Sequence, residues 1–533
     1  MNSALKEDLI DTRSDLRWQT GLLSLSIVVV IALGLFVSLF FKEKWLWMDE
    51  VLSYTLVSDP SLFHLNDAVV SGMDANPPVF ANLYWLIGHV FSLNPQFLRA
   101  VSIVIFASTI ALFYRYTTRL TGTHTSVTNF VLITGIISLT YLNLSLATQI
   151  RAYALFLLIG CGYFIILHQL ISSPGRLSLL VMHTVVGLLL TLTHSFGLFY
   201  LAASGAFIVG LWWWSADRRY GLIIGSFVLI LVAWLLIWYP SFVIQTEAGK
   251  PHSWIPVPTV HSFFSTVGEI LPGFSSRLER SPSFWFLPVL RFIGIAGLFL
   301  YLAVPRLKDG FKAFRYDKAF SFYLLAGFIY LATLVIALVV SLVYTSVFIS
   351  RYLWPSHLLV VFQLVYAYHV FLPRLRFDRF ARLLPVYMLL LMAFLFYQNR
   401  KTSIFPSDVL AYLPQLDKRY PVFVETADYF LPIWFHKNIP SVRYLLNWQT
   451  ASAEGNILSA TVEHKILKSV REKYHVTDIV TTQEFNRTNF PRFYVIDEVS
   501  NYQFEHYFNN RQIRIIHEFP IDIEGHRLLE CTF

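Results

Sequence analysis

Residues Gly21–Glu50 read GLLSLSIVVVIALGLFVSLFFKEKWLWMDE, and this segment indicates the class of fold. Its first part, Gly21–Phe41, carries no charge and is long enough for a helix to cross the roughly 30 Å hydrocarbon core of a bilayer. The run is too long for the core of a signal peptide and is followed by lysine, not by a small-residue cleavage site. These features indicate an uncleaved membrane anchor. An acidic pair, Asp49 and Glu50, follows it closely.

Similar apolar runs recur along the chain, so the sequence predicts a polytopic α-helical membrane protein with about eleven crossings. Of the 533 residues, 56% are hydrophobic and only 14% charged, whereas soluble domains carry about 25% charged residues. This composition excludes a disordered chain, a collagen-like repeat and a disulfide scaffold. The runs after the first lie near residues 97–116, 125–147, 151–171, 178–195, 198–214, 221–244, 287–304, 320–347, 353–372 and 383–398.

The basic residues indicate how the chain is oriented in the membrane. The formal net charge is +8, but the lysines and arginines between the runs gather in alternate short loops, such as Arg218 with Arg219 and Arg374 with Arg376. Basic loops face the cytoplasm. We therefore predict a cytoplasmic N-terminal segment at residues 1–20, and we expect membrane lipids, and no nucleic acid, as partners of the basic residues.

Two predicted outer loops are long enough to suggest function, because ordinary connections are much shorter. They span roughly residues 42–96 and 245–286. Within the first loop, Leu65–Val70 and Val79–Phe91 have apolar residues at helical spacing beside polar ones. This pattern predicts helices that lie in the membrane interface.

The composition changes after residue 400, where 30 of the 74 charged residues fall within the last 133 positions. We therefore predict a transmembrane module at 21–400 and a soluble α/β domain at 401–533, which an odd number of crossings places outside the cell. A helix is expected at Val462–Tyr474. The expected strands are Val422–Glu425, Ile479–Thr482, Arg492–Asp497, Ile513–Phe519 and Arg527–Thr532.

The two cysteines do not suggest a bridge or a metal cluster. Cys161 lies inside an apolar run, and Cys531 is two residues from the end of the sequence. A disulfide between them would join the membrane interior to the terminal segment, so we expect free thiols.

The candidate site consists of ionisable and aromatic residues that the predicted topology gathers on the outer side. Such residues near membrane helix ends are costly unless they are paired or used. A carboxylate in a partly dehydrated pocket takes a proton from an attacking hydroxyl, and arginines bind a phosphate and stabilise its charge as it leaves. The candidates are Asp49 and Glu50 as catalytic carboxylates, with Asp74, Arg151, Tyr153, His194, Arg351 and Tyr352 as substrate-binding residues.

Each of these residues also has a structural interpretation. Asp49 and Glu50 are also consistent with ordinary loop charges just outside a helix. Asp74 is also consistent with a turn-forming residue shortly before Asn76-Pro77-Pro78. His194 suits a hydrogen-bonded position at a helix end. Arg151 and Arg351 are also consistent with arginines that snorkel to the membrane surface and anchor their helices there. The positive-inside bias, however, disfavours basic residues on the outer side.

Five short motifs, taken together, resemble the polytopic glycosyltransferases of the GT-C type. The resemblance is to the family 39-like branch, which contains protein O-mannosyltransferases and bacterial aminoarabinose transferases. The motifs occur in the same order within residues 40–360. They are Asp49–Glu50, Asp74–Pro78 (Asp-x-x-Pro-Pro), Arg151–Leu155 (Arg-x-Tyr-x-Leu), Thr193–Gly197 (Thr-His followed by small and aromatic residues) and Arg351–Leu353 (Arg-Tyr-Leu).

This resemblance implies transfer of a sugar from a polyprenyl-phosphate donor to a lipid, glycan or protein acceptor, with inversion at the anomeric carbon. It implies Asp49 as the general base, with Glu50 and Asp74 orienting it or binding acceptor or sugar. Arg151 and Arg351 would hold the donor phosphate. The implied location is the bacterial cytoplasmic membrane, with the active site on the extracytoplasmic side. The sequence has no Asp-x-Asp pair, so it does not support a catalytic divalent metal or another cofactor.

Two alternative functions follow from other classes of membrane protein. A transporter or flippase of lipid-linked sugars would show internal repeats and ionisable residues near the membrane midplane, and neither is evident here. A non-catalytic scaffold would recruit a partner through the C-terminal domain, and no sequence feature supports it.

Overall fold

The chain forms two compact units, each of which combines separate parts of the sequence. The computed structural model describes residues 2–41, 45–248, 253–273, 284–400, 412–436, 441–453, 456, 459–498, 503–521 and 525–533. We name the first unit, Met1–Lys42 with Gln96–Ile237 and Val257–Thr402, the helical unit. The second, Glu43–Pro95 with Trp238–Pro256 and Ser403–Phe533, is the mixed unit.

Helices make up most of the described chain, and they are numbered here in chain order. They are α1 (Asn2–Phe41), α2 (Met48–Val57), α3 (Leu62–Val70), α4 (Val79–Val90), α5 (Pro95–Thr121), α6 (Ser126–Ser138), α7 (Tyr141–Ala147), α8 (Tyr153–Ser172), α9 (Leu177–Thr193), α10 (Gly197–Ser215), α11 (Tyr220–Ile237), α12 (Tyr239–Ala248), α13 (Val260–Ile270), α14 (Phe286–Leu307), α15 (Gly310–Tyr316), α16 (Lys318–Val343), α17 (Trp354–Phe371), α18 (Leu384–Arg400), α19 (Ala427–His436), α20 (Trp448–Ala451), α21 (Ala460–Tyr474) and α22 (Glu505–Asn509).

By length and hydropathy, eight helices in the described part of the chain are able to cross a membrane, which makes this a multi-pass membrane protein. The predicted count of eleven crossings stays a prediction. The eight segments are Trp18–Phe41, Pro95–Thr121, Tyr153–Ser172, Gly197–Ser215, Tyr220–Ile237, Phe286–Leu307, Lys318–Val343 and Phe377–Arg400.

Two apolar runs that were each predicted as one crossing are divided between two helices. The run 125–147 is interrupted between α6 and α7, where the Asn143 side chain donates to the Ile137 carbonyl at 2.7 Å. A side-chain donor at the end of a helix competes with the backbone for that carbonyl. The run 221–244 is interrupted between α11 and α12 beside Pro240, which has no N–H to donate to the preceding turn.

Polar side chains join the helices of the helical unit at one end of α5. The fully buried Asn129 amide nitrogen lies 2.8–3.1 Å from the hydroxyls of Thr118, Thr121 and Thr125, which share its two hydrogens. Its oxygen lies 2.8 Å from Nε2 of His369. These bonds connect α5, α6 and α17 within an otherwise apolar core.

The C-terminal part of the mixed unit is a six-stranded sheet packed with helices, as predicted. Its strand order is β3-β2-β1-β4-β6-β5. Strands β3, β2, β1 and β4 run parallel, and β6 is antiparallel to both of its neighbours, β4 and β5. The predicted strands and the predicted helix, now α21, are all present, but β2 was missed because its short apolar run shows no alternation. The strands are β1 (Val422–Val424), β2 (Val442–Leu446), β3 (Ile479–Thr481), β4 (Arg492–Glu498), β5 (Arg514–Phe519) and β6 (His526–Thr532).

The first long loop belongs to the mixed unit together with this sheet. It contains α2, α3 and α4, so the two segments predicted as amphipathic helices are helical. Phe63, Leu86 and Phe91 are exposed on these segments, as expected for helices that lie against lipid. The predicted domain boundaries near residues 20 and 400 stay a prediction.

Candidate functional site

His194 lies at the centre of an aromatic cluster in the helical unit, at the break between α9 and α10. Its ring stacks on Phe156 at 4.9 Å and lies 4.8 Å from the ring of Tyr352. The backbone N–H of Phe196 donates to His194 Nδ1 at 3.1 Å. Because Nδ1 accepts a bond, the neutral ring carries its proton on Nε2. Within the described residues, this buried Nε2 has no hydrogen-bond partner.

Both candidate arginines lie close to this cluster. The Arg351 guanidinium is 6.0 Å from the centre of the Tyr153 ring and 5.7 Å from that of Tyr352, within the range of cation–π attraction. Arg151 is only 6% exposed, and the charges of both arginines act on the His194 ring. The structure therefore brings five sequence-predicted residues together. Guanidiniums and an Nε2–H are all donors, so this set suits an anion such as a phosphate.

A buried polar network holds the segment that carries Arg351. This residue is in a short 3₁₀ helix, Ser350–Leu353, which leads directly into α17. The Trp354 indole donates to the Asn143 side-chain oxygen at 2.6 Å, and the Asn143 amide lies 3.0 Å from His357 Nε2. His357 Nδ1 in turn donates to the Ile270 carbonyl at 2.7 Å. These bonds tie the start of α17 to α7 and α13.

A cavity of about 530 Å³ lies beside this segment in the helical unit. Its lining includes Glu269 of α13, Arg291 of α14 and Trp285, together with Thr140 and Ser145. The Ser350 hydroxyl, adjacent in sequence to Arg351, donates to Glu269 at 2.5 Å. The cavity thus combines charged, hydroxyl and aromatic groups, as small-molecule sites commonly do.

The three candidate carboxylates belong to the mixed unit. Asp49 and Glu50 lie in the first turn of α2, where negative charge is favoured by the helix dipole, and Glu50 is fully buried. Asp74 is 5% exposed, and its carboxylate accepts bonds from the backbone and side chain of Asn76 at 3.0 and 2.8 Å. The Gln245 amide also donates to the Asp74 carbonyl at 2.8 Å. Asp74 therefore forms the turn expected from the structural interpretation.

The predicted site residues thus fall into two groups, one in each unit, and their catalytic or binding roles stay predictions. Three residues that hold or extend the arginine cluster, Asn143, His357 and Glu269, were not among the predicted site residues. Glu269 had a usable signal, because it is the lone carboxylate in an otherwise uncharged helix within a long loop. Asn143 and His357 had none, because a buried amide or imidazole in an apolar run is ordinarily a packing residue.

No group of three or more His, Cys, Asp or Glu side chains in the described ranges is arranged to hold a metal ion. Cys161 and Cys531 are both buried and unbridged.

The sequence matches no family profile and no curated protein sequence. The structure is similar to that of ArnT from Cupriavidus metallidurans bound to undecaprenyl phosphate, with a TM-score of 0.53 and 14% sequence identity. That match covers 96% of this chain and 98% of the ArnT chain. The apo state of the same ArnT matches with a TM-score of 0.52 and 13% identity, over 97% of this chain and 98% of ArnT.

The similarity extends over nearly the whole of both chains. The fold is therefore that of ArnT, a GT-C-type glycosyltransferase fold, as the resemblance of the five motifs predicted. At this level of identity, the match describes the fold, and the function has to be argued from the site.

Proposed function

We propose that this protein is a glycosyltransferase that moves a sugar from a polyprenyl-phosphate donor to an acceptor at the outer face of the membrane. The observation that carries the proposal is the cluster of Arg151, Arg351 and the His194 Nε2–H in an ArnT-like fold. The ArnT structure contains undecaprenyl phosphate, a carrier of the class that such a cluster would bind.

In this proposal the two arginines bind the phosphate of the donor and stabilise the charge that develops as it leaves. The rings of Tyr153 and Tyr352 hold the Arg351 guanidinium in place by cation–π attraction. Arginine suits this role better than lysine, because its planar fork donates to two phosphate oxygens at once.

The chemical step is a single displacement. The Asp49 carboxylate takes the proton of the acceptor hydroxyl, and the hydroxyl oxygen forms a bond to the anomeric carbon. The bond between that carbon and the phosphate oxygen breaks, and its electron pair leaves with the polyprenyl phosphate. Attack from the opposite face inverts the anomeric carbon. Glu50 and Asp74 orient Asp49 or bind acceptor or sugar.

The orientation predicted from the basic loops places this reaction on the extracytoplasmic side of a bacterial cytoplasmic membrane. The C-terminal domain then lies on the same side. The acceptor is a lipid, a glycan or a protein exposed there.

The test is transfer by purified protein in liposomes that contain a radiolabelled polyprenyl-phosphate sugar and candidate acceptors. A hydrogen bond to a charged group contributes about 1.5–3 kcal/mol. Loss of this interaction in Arg351→Ala should therefore slow transfer by about 10- to 150-fold. Asp49→Asn is expected to abolish transfer but to retain donor binding. The matched control is Arg219→Ala, because Arg219 is exposed and paired with Asp217.

Two results would contradict the proposal. Full transfer activity in Asp49→Asn would remove the proposed base. Movement of the donor between bilayer leaflets, with no transfer to any acceptor, would identify a transporter or flippase of lipid-linked sugars instead.

A further inference from the structure

Helix α2, which carries the acidic pair, is tied at its start to the C-terminal domain within the mixed unit. The backbone N–H of Leu46 donates to His436 Nε2 at 3.2 Å, and the Trp45 ring lies 4.2 Å from the His436 ring. Further along α2, the Tyr54 ring makes an edge contact with Phe435 at 5.2 Å. Both contacted residues lie at the end of α19.

The end of α2 is tied to the same domain through Asp59, which is 2% exposed. Its carboxylate accepts bonds from the Tyr474 hydroxyl at 2.9 Å, the His64 Nδ1 at 2.5 Å and the Ser61 backbone at 2.8 Å. His64 Nε2 donates to the Lys473 carbonyl at 3.1 Å.

Helix α3, which follows Asp59, makes two more contacts with α21. Lys473 forms an ion pair with Asp67 at 2.5 Å, and the hydroxyls of Ser71 and Ser469 are 2.5 Å apart. Burial, together with the bond to the Asp59 carboxylate, raises the pKa of Tyr474, so this hydroxyl stays a donor at physiological pH.

These contacts matter because α2 and α3 are only 10 and 9 residues long. Isolated helices shorter than about 12–15 residues are marginal in water, and tertiary packing supplies most of their stability. The geometry of Asp49 and Glu50 therefore depends on the elements that contact α2. Within the described residues of the mixed unit, α3 and α4 also pack on α2, while α19 contacts it at Tyr54 and α21 bonds Asp59 just beyond its end.

We propose that the C-terminal domain is a positioning element for the acidic pair, with Asp59 and Tyr474 as its main positioning residues. The domain holds α2 through a network that lies outside the first turn of the helix, so it sets the direction of the carboxylates without contacting substrate. This inference rests on the proposed function, because it gives the acidic pair a catalytic purpose.

The first test is Tyr474→Phe in the full-length protein, which removes only the hydroxyl bonded to Asp59. We expect the kcat of transfer to fall about tenfold and the KM for the donor to change less than about twofold. Hydrogen exchange of residues 48–57 should become faster. The matched control is Tyr507→Phe, because this tyrosine packs on Phe485 in the sheet domain.

The second test replaces the serine pair by Ser71→Cys with Ser469→Cys. The two hydroxyl oxygens are 2.5 Å apart, so paired cysteines lie within reach of a disulfide. We expect this cross-link to restore kcat and slow exchange in Tyr474→Phe, and reductant to remove both effects.

Unchanged exchange of residues 48–57 in Tyr474→Phe would overturn the inference. An oxidised cross-linked protein that is inactive until reduced would also overturn it, because the domain would then have to leave α2 during turnover. If the wild-type protein transfers no sugar at all, the proposed function fails. The exchange measurement still decides whether the domain orders α2.

Discussion

Replacing Asn143 by leucine should loosen the segment that carries Arg351 without touching the arginine itself. The Asn143 side chain accepts from the Trp354 indole at 2.6 Å and bonds His357 at 3.0 Å, and it donates to the Ile137 carbonyl at 2.7 Å. It is fully buried, so water has little access to replace these bonds. Leucine has a similar volume and no polar atoms.

The structure allows the cost to be worked out in two ways. Leucine leaves the Trp354 N–H and the His357 Nε2 buried without a partner, at about 1–3 kcal/mol each. This gives about 2–6 kcal/mol. Hydrogen bonds between membrane helices contribute on average about 0.6 kcal/mol, because the groups find other partners when the helices separate. By this measure the three Asn143 bonds contribute about 2 kcal/mol. We expect a loss of about 2–3 kcal/mol, at the low end of the first range.

The assay combines thermal unfolding in detergent with binding of polyprenyl phosphate. Asn143→Leu should lower the unfolding temperature by a few degrees and weaken phosphate binding about tenfold or more, because Arg351 loses its fixed position. The matched control is Asn129→Leu, which removes another fully buried amide, whose side chain bonds three threonine hydroxyls and His369. Asn129 bonds Thr118 of α5, whereas Ser102 of the same helix donates to the backbone of Gln149, two residues before Arg151. Thr118 and Ser102 are 16 residues, or roughly 24 Å, apart along α5.

The control variant should lose a comparable amount of stability and keep its phosphate affinity. Equal weakening of phosphate binding in both variants would contradict this prediction, because the effect would then follow from general destabilisation. Unchanged binding in Asn143→Leu, with the expected loss of stability, would show that the network does not position Arg351.

Three further predictions concern other parts of the chain. Gly197→Ala places a Cβ 2.6 Å from the Leu190 backbone oxygen, so thermal unfolding should show a free energy of unfolding lower by about 1–3 kcal/mol. The control Gly162→Ala meets no atom within 4 Å and should leave that free energy unchanged. Arg351→Lys keeps the charge but loses the planar fork, so phosphate titrations should show weaker binding than in the wild type and stronger binding than in Arg351→Ala. Burial and the neighbouring Asp497 carboxylate raise the pKa of Glu425 well above its usual range. The protonated Glu425 therefore contributes fully to the free energy of unfolding at acidic pH, and this contribution is lost as pH rises through the raised pKa. Glu425→Gln should flatten this loss in unfolding measured against pH, and an unchanged profile would contradict the assignment.

Much of the arginine cluster was predictable from short motifs. Arg151, His194 and Arg351 were identified because ionisable residues at the ends of apolar runs are costly and rare. Asn143 was not identifiable in this way, because its importance comes from partners more than 200 positions away in the sequence. Its bond to Ile137 also explains why the run 125–147 is two helices, which apolar composition by itself does not reveal.

The acidic pair illustrates a different limit. The sequence predicted Asp49 and Glu50 as candidates and an α/β domain after residue 400, but no pattern connected the two. The contacts of His436 with Leu46 and of Tyr474 with Asp59 join segments about 400 residues apart. Contacts of this kind have no periodicity along the chain, so sequence patterns do not report them.

The amino-acid sequence was sufficient to predict a multi-pass membrane protein with a charged C-terminal α/β domain, because bilayer thickness and side-chain hydropathy act locally along the chain. It also determined which residue types are available for phosphate chemistry. The tertiary structure specifies which of them meet, since helix packing brings Arg151, Tyr153, Arg351 and Tyr352 together around His194. It also decided that the acid-bearing loop packs with the C-terminal sheet domain, because helices as short as α2 take their geometry from the elements they contact.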